Sequence, residues 1–208
     1  MHQVSNIFFD FDGVIKESVE VKTFAFIELF QSFKNDVLVK IKKHHLKNSG
    51  MSRYEKIPIY LDWAGEKNTD SQIEKYAENF SLLVKEKVIS SNWVDGVESF
   101  LKRKKNDQLF FILTATPQDE IEDILDAINI RHLFDEVIGS PTKKSNAIKF
   151  LLSEYSLTAS NSLMIGDSRV DYEAALYNSV PFILRRTSIN KNLQNSLNCQ
   201  MINNFLYE

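Results

Sequence analysis

The chain has 208 residues, 43% of them apolar and 15 of them Phe, enough for one sizeable core with room for a smaller inserted unit. A formal net charge of −3 argues against a dedicated nucleic-acid binder, which carries a basic excess. The single cysteine, Cys199, excludes an intrachain disulfide and a cysteine-built metal site and reads as a passive thiol.

The opening residues MHQVSNIFF lack the basic and apolar stretches of a secretory leader. No apolar run approaches the ~20 residues that span a bilayer. A soluble, cytoplasmic chain with no membrane partner is expected. A first strand is expected over residues 6–12 (NIFFDFD), ending in Asp10, Asp12 and Gly13. From about residue 16 to residue 92 no strand pattern appears, whereas 23–33, 36–47 and 71–88 carry helical spacing, with Gly50 and the Ala64-Gly65 pair as turns. The basic run 40–47 (KIKKHHLK) reads as a solvated face, with contact to an anionic substrate or partner as the other option. His44 and His45, adjacent on that helix, point in different directions and are expected at the surface.

A helix from near Val97 closes on KRKK, cations that complement the helix dipole. The strand expected over 108–115 is apolar at consecutive positions from Leu109 to Leu113, as in a parallel sheet covered on both faces. Helix 117–129 puts Ile121, Ile124, Leu125 and Ile128 on one face, with Pro117 at its start. A strand over 136–140, a helix over 144–155, strands over 162–167 and 181–185, and a helix from Val170 to Asn178 complete the alternation. Such alternation predicts an α/β, doubly wound, Rossmann-like parallel sheet. Residues 1–15 and 93–208 would form this core and 16–92 an inserted all-α domain.

Chemistry-bearing residues gather at the expected strand ends. Asp10 and Asp12 close the first strand, two residues apart and so on one side. Thr114 and Thr116 close the second, Lys144 opens the helix after the third, and Asp167, Ser168 and Asp171 follow the fourth. Taken singly each has a plain alternative: an acidic turn before Gly13, or a helix N-cap at Asp167 or Ser168. Open parallel sheets bind ligands just beyond the carboxyl ends of their strands, which is where all of these converge.

The set resembles the haloacid dehalogenase superfamily: DFDGV for its DxDG motif, ILT for its apolar run ending in Ser/Thr, Lys144 for its lysine and GDSRVD for its GDSxxD motif. Lys143 is the other candidate for the lysine, because Ser145 rather than Pro follows Lys144. The resemblance implies a phosphatase acting on a small phosphate ester. Asp10 would be the nucleophile, forming an aspartyl-phosphate, and Asp12 the general acid and base. Mg²⁺ would sit on the Asp10 carboxylate, the Asp12 carbonyl and Asp167. Thr114, Ala115 and Lys144 would hold the phosphate, with Asp171 orienting Lys144 or a metal-bound water. The second acid, Asp12, separates this pattern from the dehalogenase branch, whose halide leaving group needs no proton.

An insertion directly after the first motif resembles the helical cap of the phosphoglycolate phosphatase and β-phosphoglucomutase branch, with hinges near 16–18 and 93–96. Ser18 would lie near the site, and Arg53, in the loop GMSR, would hold a distal anion of the substrate. The alternative for Arg53 is an exposed side chain beginning a helix capped by Ser52. A phosphosugar mutase is the second functional reading, weakened because Lys22 stands where the mutase carries a site histidine. A catalytically silent binding relative is the third.

Overall fold

The computed structural model describes residues 4–206. Its strands are β1 (Asn6–Phe9), β2 (Leu109–Pro117), β3 (Glu136–Ser140), β4 (Ser162–Gly166), β5 (Phe182–Arg185) and β6 (Gln200–Ile202). All pair in parallel, in the order β3-β2-β1-β4-β5-β6. The chain therefore winds outward from β1 in one direction through β3, then returns and winds the other way from β4. That reversal leaves a crevice at the carboxyl ends of β1 and β4.

Two apolar layers sandwich the sheet, as side-chain alternation along β1 requires. Phe8 faces one way and stacks on Phe111 at 5.3 Å, in a layer closed by α7 (Lys144–Glu154) and α8 (Arg169–Tyr177). Ile7 and Phe9 face the other, toward α5 (Val97–Lys102) and α6 (Gln118–Ala127). α9 (Lys191–Ser196) precedes the short edge strand β6. The second of these layers continues into four helices inserted after β1: α1 (Val19–Leu29), α2 (Asn35–Lys47), α3 (Arg53–Ala64) and α4 (Asp70–Ser90). Phe26 is their hub, 4.1 Å from Phe80 and edge-on to Tyr60. The segments that join these helices to the sheet run side by side, with Glu17 N–H donating to Asn92 O and Val94 N–H to Ile15 O.

Several elements depart from expectation. β1 ends at Phe9, so Asp10 and Asp12 stand in the turn beyond the ladder. α1 begins at Val19 rather than residue 23, with Ser18 at its N-cap position. α3 is the helix that the alternative for Arg53 placed after Ser52, and it runs on through Pro58, a residue that disfavours a helix interior. Its ends are nonetheless well specified: Ser52 and Glu55 form a capping box, and Gly65 closes it at φ 76°. β6, at three residues, is too short to show a period.

Candidate active site

Asp10 leaves β1 with its N–H donating to Ile165 O of β4, which fixes the turn against the crevice. Gly13 follows at φ 77°, and a Cβ there would collide with the Asp167 carboxylate. Only glycine allows the turn after β1 to pass this close to the end of β4. Gly166 is packed in the same way against Asp171.

Lys144, the first residue of α7, reaches both acids of this floor. Its Nζ lies 2.8 Å from Asp10 Oδ1 and 2.5 Å from Asp171 Oδ1. Asp171 Oδ2 in turn accepts from the Ser168 N–H at 3.0 Å and the Ser168 hydroxyl at 2.6 Å, a capping box that opens α8. Lys143, by contrast, is exposed at the N-cap of α7. Asp10, Asp167 and Asp171 each offer an oxygen within 4.8 Å of the other two. Asp167 Oδ2 is buried without a hydrogen-bond partner among the described residues.

The electrostatics follow from this crowding. Burial, then the nearby Asp171 carboxylate, pushes the Asp10 carboxyl up to about 7, although Lys144 pulls the other way. Burial, with repulsion from Asp10 and Asp171, holds Asp167 well above the usual carboxylate range. Burial alone would strip Lys144 of its proton, but Asp10 and Asp171 together hold its ammonium protonated above the ordinary lysine value. Three buried acids thus face one lysine, and one acid oxygen has no donor among the described residues. Hard oxygen ligands with an excess of negative charge fit a small divalent cation.

Asp12 sits in a different setting. Its Oδ1 accepts from the Ser18 hydroxyl at 2.6 Å and its Oδ2 from Lys22 Nζ at 2.5 Å. Lys22 also donates to Thr116 Oγ1 at 2.8 Å. Burial would raise the Asp12 carboxyl, yet Lys22 and Ser18 together bring it below its ordinary value. Thr114 is buried at the end of β2 and donates to Thr116 Oγ1 at 3.3 Å. Ala115 lies between the two threonines and lines the cleft over the acids.

Arg53 does not join this group. It is the first residue of α3, buried, with its guanidinium forked onto Glu120 of α6 at 2.8 and 2.5 Å and a further bond to the Ser81 hydroxyl. The expected distal-anion contact and the alternative of an exposed side chain both give way to this pairing. Packing of α4 on α6 brings Glu120 to the start of α3, where it meets the guanidinium fork. The surface placement of His45 is corrected as well. Val37, Ile41 and His45 recur at four-residue spacing on the buried face of α2, and His45 lines the cleft with Asp10, Asp12 and Lys22. Its Nδ1 lies 3.1 Å from Lys56 Nζ. His44 is half-buried and bonds the Tyr60 hydroxyl at 3.1 Å. From the sequence, Thr116 is only a second hydroxyl at the end of its strand, Lys22 only the residue standing where the mutase carries a site histidine, and His45 has no part in the site. The apolar spacing through Val37 and Ile41 was the available signal for His45, and the one-turn offset from Ser18 to Lys22 the signal for Lys22.

A family model described as haloacid dehalogenase-like hydrolase matches residues 7–184. A phosphoglycolate phosphatase of Aliivibrio fischeri is 41% identical over 69 residues, 31% of this chain and 30% of that protein. Another, of Mannheimia succiniciproducens, is 29% identical over 126 residues, 55% of this chain and 56% of that protein. The chain thus aligns with about half the length of these curated relatives, or less. Among solved structures, CbbY of Rhodobacter sphaeroides in complex with xylulose-(1,5)bisphosphate superposes with a TM-score of 0.79 at 15% identity, over 98% of this chain and 95% of that one. At that identity the likeness extends to the fold. Among the described residues no helix is long and apolar enough to cross a membrane.

Proposed function

The chain belongs to the haloacid dehalogenase-like hydrolase family, and on that premise we propose that it is a phosphatase that hydrolyses a small phosphorylated metabolite through an aspartyl-phosphate on Asp10. The observation that carries the reading is the buried Asp10 carboxylate, 2.8 Å from Lys144, beside an Asp167 oxygen that none of the described residues satisfies. In the first step an Asp10 oxygen bonds to phosphorus as the bond from phosphorus to the leaving oxygen breaks. Lys144 and the Thr114 hydroxyl draw on the equatorial oxygens, where negative charge accumulates.

Asp12 must enter this step protonated, against the pull of Lys22 2.5 Å from its Oδ2, and it gives that proton to the leaving alkoxide. In the second step Asp12 takes a proton back from the water that attacks the phosphoaspartate, releasing inorganic phosphate and restoring Asp10. The ion pair with Lys22 favours the ionised Asp12 that this second step requires. Ser18 keeps the Asp12 carboxylate turned toward the cleft. Mg²⁺, held by Asp10, Asp167 and the Asp12 carbonyl, would offset the repulsion between a carboxylate and a phosphate dianion. Helices α1–α4 would act as the cap that excludes bulk water from the reacting centre.

The test is phosphate release from acetyl phosphate and a panel of phosphate monoesters, with Mg²⁺ and with chelator. Release is expected only with the metal, and Asp10→Asn should lower it by at least about a thousandfold. An Asp10→Asn variant that keeps its rate removes the covalent route. Isomer interconversion without net phosphate release would move the reading to a mutase.

A further inference from the structure

The cleft directly over Asp10 and Asp12 has room for little more than one water, about 20 Å³, so the alcohol that leaves must be housed elsewhere. Gly50, Ala115 and Lys144 border both this cleft and a second, open cavity of about 550 Å³. Cavities that hold ligands the size of a nucleoside fall at about 300–1,000 Å³ and are mainly apolar with a few polar groups. Met51, Pro141 and Val170 give this one such a wall.

Two tyrosines complete it. Tyr60, Tyr76, Tyr155 and Tyr172 all pack against other rings. Tyr54 and Tyr177, the two that line the cavity, make no ring contact among the described residues, and Tyr177 is 71% exposed. A large ring held at the mouth of a cavity without a partner is a stacking surface. The wall carries charge of both signs, Glu55 and Glu173 together with the exposed Lys143, while Arg53 is taken by Glu120.

We propose that the substrate is a phosphate monoester whose alcohol carries a flat heteroaromatic ring, as in a nucleoside 5′-monophosphate, with the ring against Tyr54 and Tyr177. The inference rests on the phosphatase reading above and narrows its substrate class. Carboxylates at the edge of the cavity suit the amino groups of such a ring, and the apolar wall suits its faces.

The test compares kcat/KM for adenosine 5′-monophosphate, ribose 5-phosphate and phosphoglycolate with the full chain in Mg²⁺. The nucleotide is expected to exceed both others by about tenfold or more, chiefly through KM, as stacking of one ring implies. Tyr54→Ala with Tyr177→Ala should bring the ratio of nucleotide to ribose 5-phosphate close to one, and the corresponding Phe variants should keep it. A wild-type ratio near one, a ratio untouched by the double Ala variant, or phosphoglycolate as the best substrate overturns the inference. If no compound, acetyl phosphate included, releases phosphate, the phosphatase reading fails. Equilibrium binding then decides the ring: adenosine 5′-monophosphate should bind about tenfold more tightly than ribose 5-phosphate, and equal binding sinks the proposal.

Discussion

Asp10 at the strand ends and Arg53 in the helical insertion are buried to the same degree, each 4% exposed, yet their surroundings are opposite. Arg53 is met by a carboxylate that takes two of its donors and by a hydroxyl that takes a third contact. Asp10 shares one lysine with Asp171, while the neighbouring Asp167 keeps an oxygen with no donor among the described residues. Burial of charge is therefore not what marks the site. The mark is charge that the fold buries and leaves uncompensated, which a ligand must complete.

The comparison breaks if the closed pair can be opened cheaply. Arg53→Ala would strand the Glu120 carboxylate beside Ser81 and is expected to lower stability by about 3–5 kcal/mol, read as a fall in Tm. Arg53→Met combined with Glu120→Leu should recover most of that loss, since packing replaces the pair. A fall of less than about 1 kcal/mol in the single variant would mean that the pair is no better than a surface ion pair.

The open cluster should respond with the reverse sign. Because burial and its acidic neighbours raise the Asp167 carboxyl in the folded chain, the folded state holds a proton that the unfolded chain has released. Stability from this group therefore falls as pH rises above the ordinary carboxylate value, and is unaffected below it. In chelator at pH 7, Asp167→Asn should raise Tm, by the equivalent of about 1–2 kcal/mol. Added Mg²⁺ should then stabilise the wild type and not the variant, a readout that needs no turnover. Destabilisation by Asp167→Asn in chelator would show the cluster to be compensated without a metal.

The two regions also differ in how far they could be read from residues alone. In a parallel sheet every strand leaves by the same edge, so the ends of β1, β2 and β4 must bring Asp10, Asp12, Thr114 and Asp167 together once the strands are located. The apolar runs located them to within a few residues. Lys144 and Asp171 followed because each opens a helix directly after a strand. In the insertion no such rule operates. The partner of Arg53 is set by how α4 packs on α6, and the burial of His45 by how α2 packs on α1 and α3. α3, present in the sequence only as the alternative for Arg53, forms although Pro58 lacks an N–H, because the helix is capped at both ends. A residue read from local spacing is placed on an element, but the residue it will meet there depends on tertiary packing.

One position in the insertion repeats the open pattern with the opposite charge. Lys56 is buried, with His45 Nδ1 as the nearest partner of its Nζ at 3.1 Å and, among the described residues, no carboxylate in an ion pair. Burial, then repulsion from Lys22, depresses its ammonium from 10.5 to about 7, against a partial offset from Asp12 and Glu55. Between those values the unfolded chain binds a proton that the folded chain has lost, so stability from Lys56 rises with pH through that window. Below about 7 the full penalty is present, because both states are then protonated. Lys56→Met should thus raise Tm at pH 6.5 by the equivalent of about 1 kcal/mol, the gain being reduced by loss of the bond to His45. That gain should shrink steadily and vanish near pH 10.5. A difference in Tm that stays constant across the range would mean that Lys56 keeps its proton in the folded chain, and that its charge is compensated as fully as that of Arg53.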